Sequence, residues 1–350
     1  MKNTILLTGG TGFIGSHTTV ELLNAGYDII IVDNLSNSSS SVVNDIIEIT
    51  QKPSNIKFYQ TDINNTKGMK EIFDQNKIDG VVHFAAYKSV NESVINPLLY
   101  YYNNITGLIN LLKLMTEYNV TNLVFSSSAT VYGNPTLLPL TEKSSVDPIN
   151  PYGQTKLMSE NILHDLSVAK SDFQIIVLRY FNPVGAHVSG LIGENPLGIP
   201  NNLFPYILDV ISGKRPHLNV YGSDYDTPDG TGVRDYIHVV DLADSHLKAL
   251  NSLFLKNPDK STNPQNYKIY NVGTGTGYSV LDIVQSFNKN LETPIKHVMA
   301  ERRPGDAPTV YADCSLIKEE LGWVAQRNLD DMVKDSLNYL YKSSSMYSNK

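Results

Sequence analysis

Short continuous apolar runs recur along the first half of the chain, each bounded by glycine, asparagine or aspartate. Thr4-Ile5-Leu6-Leu7-Thr8, Asp28-Ile29-Ile30-Ile31-Val32, Gly80-Val81-Val82-His83-Phe84, Leu123-Val124-Phe125-Ser126 and Ile175-Ile176-Val177-Leu178-Arg179 read as strands buried on both faces. Lys57-Phe58-Tyr59-Gln60 adds another strand. Between them, helical patterning covers residues 16–24, 69–76, 103–119 and 153–169. Alternating strands and helices predict an α/β fold, a doubly wound parallel sheet with helices on both faces. Ligands of such sheets bind beyond the carboxyl ends of the strands. After about Asn182 the texture changes. Prolines, glycines and asparagines cluster at 183–186 and 199–202, elements shorten, and a Ser/Asn-rich end is expected to fray.

The first strand enters Gly9-Gly10-Thr11-Gly12-Phe13-Ile14-Gly15, a helix follows, Gly26 closes it, and the next strand ends in Asp33, eighteen residues beyond Gly15. Gly9 makes the turn, Gly12 lets backbone approach a pyrophosphate, and Gly15 packs helix on strand. The helix N-terminus faces the phosphates, and Asp33 accepts from ribose hydroxyls. The spacing is G-x-x-G-x-x-G, with the logic of the dinucleotide fingerprint unchanged. No arginine lies between Asp33 and Ser41 to receive a 2′-phosphate, which favours NAD over NADP. Residues 1–182 are therefore expected to form a Rossmann-type NAD-binding domain, with strands and helices contributed from about 235–250. Residues 183–350 are expected to form a smaller substrate-binding domain with an interleaved boundary. His83, at a strand end, reads as a packed or capping histidine. The glycines at 273, 275 and 277 lack the strand-and-acid continuation and read as a turn.

Composition narrows the setting. A chain of 350 residues, 41% hydrophobic and 18% charged, has room for about two domains and a large core. The balance 28 − 35 = −7 offers no basic footprint for nucleic acid. A lone cysteine, Cys314, excludes an intrachain disulfide and suggests a reducing compartment. No apolar run reaches membrane-spanning length, and the first residues form a strand, not a signal peptide. The expectation is a cytoplasmic protein without a membrane partner or a metal.

Tyr152 and Lys156 stand four positions apart and share one helix face. An ammonium beside the phenol would favour phenolate, lowering a pKa that is ordinarily near ~10. A fall of roughly three pH units represents about 4 kcal/mol. A cationic nicotinamide ring could supply part of it.

These residues resemble the extended short-chain dehydrogenase/reductase family, and closely its UDP-hexose 4-epimerase branch, over nearly the whole chain. The resemblance runs through Thr8-Gly9-Gly10, Gly15-Ser16-His17-Thr18, the 125–133 segment around Ser128, and Pro151-Tyr152-Gly153 with Lys156. It is most specific at Arg179-Tyr180-Phe181-Asn182-Pro183-Val184-Gly185-Ala186, at Asp229-Gly230-Thr231-Gly232-Val233-Arg234-Asp235-Tyr236, and at Arg302-Arg303 with Gly305-Asp306. The resemblance implies that Tyr152 is the base on the sugar O4 hydroxyl, that Lys156 lowers its pKa and holds the nicotinamide ribose, and that Ser128 bridges O4 and Tyr152. It places Phe13, Ile14, Asp33, Asn34, Asp62, Ile63, Phe84, Lys88, Asn103 and Tyr180 at the NAD site. It places Ala129, Thr130, Phe181, Asn182, Asn202, Leu203, Asn219, Tyr221, Arg234, Arg303, Asp306 and Val310 at the UDP-sugar site. Arg234 and Arg303 suit a diphosphate independently of any resemblance.

The implied reaction is reversible NAD-dependent epimerisation at C4 of UDP-glucose and UDP-galactose through a 4-keto intermediate. Two alternatives stay open. A nucleotide-sugar 4,6-dehydratase or decarboxylase would use the same scaffold, but elimination calls for an Asp-Glu pair after the strand-end Ser/Thr, where this chain has Ala129 and Thr130. A non-catalytic NAD-binding regulator would usually lose the Tyr or the Lys, and both are present. Val310 stands where hexose-restricted epimerases carry a bulky tyrosine, which extends the expected range to UDP-GlcNAc and UDP-GalNAc. Family members pair through helices read here as 103–119 and 153–169, so a homodimer is expected. His238 reads as a core residue.

Overall fold

The computed structural model describes residues 2–255, 266–303 and 306–348. The chain begins β1 (Thr4–Thr8), α1 (Phe13–Asn24), β2 (Asp28–Asp33), α2 (Ser41–Thr50), β3 (Ile56–Gln60), α3 (Thr66–Gln75) and β4 (Gly80–His83). It continues with α4 (Val90–Ile95), α5 (Pro97–Tyr101), α6 (Gly107–Glu117), β5 (Asn122–Ser128), α7 (Pro151–Ala169), β6 (Gln174–Tyr180) and β7 (Asn182–Val184). Beyond these come α8 (Leu203–Ile211), β8 (Leu218–Tyr221), β9 (Val233–His238), α9 (Val239–Phe254), β10 (Tyr267–Val272) and β11 (Gly277–Ser279). The last elements are α10 (Val280–Asn288), β12 (His297–Ala300), β13 (Thr309–Val310), α11 (Ser315–Leu321) and α12 (Leu329–Ser348).

Seven parallel strands form the main sheet in the order β10-β6-β5-β4-β1-β2-β3. Helices on both faces explain the uninterrupted apolar strands, because alternate side chains enter two different cores. Ile5, Leu7, Ile29 and Ile31 join one core with α1, α2 and α9 residues such as Val20, Ile46 and Leu242. Leu6, Ile30 and Val32 join the other with Met69, Leu111 and Leu163 from α3, α6 and α7. Strand order reverses between β1 and β4, which opens a crevice beyond the strand ends.

The later half builds a four-stranded sheet from β7, β9, β11 and β13, and a β8–β12 pair, over a third core with α8, α10 and α12. Two returns to the main sheet differ from the sequence reading. β9 belongs to the small sheet, and from the expected 235–250 stretch only the helical part, α9, lies against α1. The returning strand is instead β10. As an edge strand, half-exposed along its first residues, it lacks the continuous apolar run that marks a central one. The 103–119 helix divides into a π turn at Tyr102–Thr106 and α6. Most of the end expected to fray is helical in α12; the final two residues and Gly305 of the Arg-rich motif lie outside the described residues. Among the described residues no helix is long and apolar enough to cross a membrane.

Candidate active site

The glycine loop sits between the ends of β1 and β2. Gly9 has φ +72°, and a Cβ added at Gly15 would stand 2.3 Å from the Gly9 carbonyl oxygen. Either position carrying a side chain would force the loop open. Gly12 caps α1 without a side-chain hydrogen bond, so the first amides of α1, from Phe13 and Ile14 onward, are left for a ligand anion. Asp33 shapes the rim: it accepts from Thr11 N–H (3.2 Å), Leu35 N–H (2.9 Å) and Ser38 Oγ (3.1 Å). Asn34 Nδ2 donates to Asp62 at 2.7 Å, tying the β2 and β3 ends together. Ile63 is buried beneath this rim, close against Gly107. Phe84 rests on the His246 ring at 4.9 Å. His246 Nδ1–H donates to the Leu242 carbonyl at 2.8 Å, so Nε2 is the acceptor for the Tyr180 hydroxyl.

Tyr152 lies in the first turn of α7, where Asn150 accepts from Gly153 N–H at 2.8 Å and Pro151 opens the helix. Lys156, one turn on, is buried; its Nζ lies 5.9 Å from the Tyr152 ring centroid and donates to the Ser126 carbonyl at 2.7 Å. The expected depression of the phenol pKa is not present in the protein alone. Burial pushes Tyr152 up to about 12, with a Ser128 hydrogen bond pulling the other way. Burial also brings Lys156 down to about 8, against the attraction of Glu160. The reason is desolvation: both charged forms lose water, and the ammonium is turned to a backbone carbonyl. Ser128 ends β5 level with Tyr180 and accepts from Thr130 N–H (3.2 Å) and Thr130 Oγ1 (3.0 Å).

Residues that the sequence reading passed over hold this helix in place. Asn104, in the π turn beside Asn103, donates to Thr155 Oγ1 (3.0 Å) and accepts from Tyr87 N–H (2.9 Å). Glu160 accepts from Ser127 Oγ (2.5 Å), Arg179 Nε (3.0 Å) and Arg179 Nη2 (2.6 Å). Arg179 Nη1 also donates to the Tyr132 hydroxyl at 2.9 Å. The only signal in the sequence was position, since Glu160 continues the Tyr152–Lys156 face by one more turn.

Across the crevice, Arg303 Nε donates to Asp306 at 3.0 Å, Arg234 Nη2 lies 3.7 Å from the same carboxylate, and the Arg303 guanidinium stacks 4.9 Å from the Tyr221 ring. Val310 pairs in register with Arg234. With Ala129 it packs against a small core that contains Phe181. Asn219 and Tyr221 lie on β8, Asn182 is exposed at the start of β7, and Leu203 opens α8. Asn202 and Lys88 both donate to Glu194 Oε1, at 2.7 and 2.9 Å. Elsewhere, His83 is buried with Nδ1 2.6 Å from Thr8 Oγ1. His238 is buried, accepts from Val240 N–H and meets Asp335. The 273–277 turn wraps the buried Asp235 carboxylate through Thr274 and Gly275 amides.

Residues 6–336 match the family described as GDP-mannose 4,6 dehydratase. A UDP-glucose 4-epimerase of Pasteurella multocida (strain Pm70) is 53% identical over 344 residues, 98% of this chain and 99% of that protein. The chain belongs to the UDP-glucose 4-epimerase family. The Bacillus subtilis (strain 168) epimerase is 52% identical over 332 residues, 95% of each chain. The crystal structure of the Bifidobacterium longum epimerase, solved in complex with NAD+ and UDP, superposes with a TM-score of 0.91 at 48% identity, covering 98% of this chain and 99% of that one. The dehydratase description of the broader match does not decide the chemistry. After Ser128 the epimerase-family chain turns through Ala129–Tyr132, and no carboxylate occupies that turn.

Proposed function

We infer that this protein interconverts UDP-glucose and UDP-galactose by NAD-dependent epimerisation at C4. The observation that carries the reading is the convergence of Tyr152, Ser128 and Lys156 beside an uncapped, glycine-framed helix N-terminus, with two arginines across the crevice. The residues fit a dinucleotide. Gly9 and Gly15 leave no room for side chains, Gly12 leaves the first amides of α1 uncapped, and Asp33 and Asp62 stand at the strand ends for ribose hydroxyls. Bound NAD supplies a hydride acceptor that also returns the hydride, and a cationic ring that favours phenolate.

Magnitudes say why the Tyr–Lys pair does not suffice alone. Bringing Tyr152 from about 12 to neutrality takes about 7 kcal/mol at about 1.4 kcal/mol per pH unit. A charged Lys156 at roughly 6 Å contributes on the order of 3 kcal/mol at an effective dielectric of about 20. The α7 N-terminus adds up to about 2 kcal/mol. A further cation such as an oxidised nicotinamide adds to these attractions.

In the forward direction Tyr152 takes the O4 proton while Ser128 hydrogen-bonds O4, and in the return direction Tyr152 gives the proton back. Arg234 and Arg303 hold the diphosphate, and Asp306 a ribose hydroxyl, with Asn182, Asn202, Leu203, Asn219 and Tyr221 lining the nucleotide side. Binding energy from UDP, remote from C4, retains the 4-keto sugar while it turns. Purified protein incubated with UDP-galactose and no added cofactor is expected to form UDP-glucose. No conversion even with NAD supplied would reject the reading.

Val310 extends the range. A valine beside Ala129 and Phe181 leaves more room than a tyrosine, supporting acceptance of UDP-GlcNAc and UDP-GalNAc. Val310→Tyr is expected to abolish N-acetylhexosamine turnover and spare hexose turnover; equal loss of both contradicts it. A homodimer is also our reading, with a shifted surface. The apolar side chains of α6 enter the core, whereas Ile95 (76% exposed) and Leu98 (81% exposed) on α4 and α5, with Tyr102 and Met158, stay uncovered. A contiguous apolar face of this kind suits a second copy of the chain. A cytoplasmic setting accords with the lone Cys314.

A further inference from the structure

Glu194 is a carboxylate that the reaction above does not use. It follows the bridge between Ala186 and Gly193, where His187 N–H donates to Ile192 O at 3.1 Å. Gly193 is pressed on the Tyr339 ring so closely that a Cβ would stand 2.7 Å from it. The Glu194 side chain, 9% exposed, is therefore delivered from a fixed backbone. One oxygen, Oε1, accepts both Lys88 Nζ (2.9 Å) and Asn202 Nδ2 (2.7 Å). The other, Oε2, is buried with no hydrogen-bond partner among the described residues.

The two donors come from opposite banks. Lys88 follows β4 on the cofactor side; Asn202 stands before α8 on the substrate side. The same loop makes two more contacts with the cofactor bank, Leu197 N–H to Asn37 Oδ1 (3.0 Å) and Asn201 Nδ2 to Ser89 Oγ (3.3 Å). Residues 194–202 thus span from the β4 side to the β2 side of the crevice. Asn202 occupies the cap position of α8 without making a capping bond, and its Nδ2 donates to Glu194.

We propose that Glu194 is a positioning residue that couples cofactor occupancy to UDP-sugar occupancy, acting through Lys88 and Asn202. A single oxygen shared by donors from both banks transmits any displacement of one to the other. The unpartnered Oε2 has capacity for one more donor, and a ligand hydroxyl fills it when both sites are loaded. By linkage, UDP then tightens NAD by the same factor by which NAD tightens UDP. The proposal rests on the epimerase reading for the identity of the two ligands.

The test measures the NAD dissociation constant by equilibrium dialysis, with and without saturating UDP. For the native chain UDP is expected to lower that constant about tenfold, within the range of about 5- to 150-fold typical of coupled sites. In Glu194→Ala, with its circular dichroism unchanged, the ratio is expected to fall below about twofold, and calorimetric UDP affinity to become the same for loaded and stripped protein. Glu194→Gln keeps Oε1 as an acceptor but removes the charge, and its ratio is expected between the two; it decides the matter if the alanine variant does not fold. A ratio unchanged from native in a folded variant overturns the proposal, as does a native chain whose NAD dissociation constant ignores UDP. A native chain that binds neither NAD nor UDP would strike the epimerase reading instead.

Discussion

Burial opposes the role proposed for Tyr152, against the pull of its Ser128 hydrogen bond. Burial favours the neutral phenol, and Lys156 spends its ammonium on the Ser126 carbonyl. Ionisation is thus opposed by burial, and a further positive charge entering the site would favour the phenolate. Tyr152→Phe is expected to lower turnover about 10²- to 10⁴-fold, the usual contribution of a general base, while bound NAD measured on the purified variant stays at the native level. Turnover within about twofold of native would contradict the assignment. The Tyr–Lys pair could be read from spacing alone, because one helix turn brings the residues together. Glu160, Asn104, His246 and Glu194 could not be read, because each depends on partners brought near only by the fold, such as Arg179 for Glu160 and Lys88 for Glu194.

At the level of elements, the central strands were legible because both of their faces are buried, giving apolar runs without interruption. β10 was not, since an edge strand carries Lys268 and the half-exposed Tyr267 among its apolar positions. The α7 helix was legible in its pattern, but its anchoring was not. The buried Arg179–Glu160 pair joins α7 to β6 and, through Ser127, to β5, so the helix bearing Tyr152 and the strand bearing Ser128 move as one body. Removing one partner strands the other charge in the core. Arg179→Ala is expected to lower unfolding free energy by about 3–5 kcal/mol, read from the midpoint of denaturant unfolding. A loss below about 1 kcal/mol would show that the pair is not what anchors the helix.

The whole molecule places a dinucleotide loop on one bank of a crevice and two arginines on the other. Two interleaved parts are expected from the sequence, with a change of texture near Asn182. The helix of the exchange, α9, falls mostly within the expected 235–250 stretch, whereas the edge strand β10 has no such local mark. Among quaternary expectations, sedimentation of the native chain should give a dimer, and Leu98→Glu, placing a charge on the uncovered α4–α5 face, should give a monomer that still holds NAD. A native monomer would remove the dimer.

In the proposed reaction hydrogen leaves C4 and returns to it without meeting water. UDP-galactose deuterated at C4, incubated with purified protein in ordinary water, tests this directly. UDP-glucose retaining the deuterium at C4 is expected; product carrying solvent hydrogen at that carbon would rule out direct hydride return.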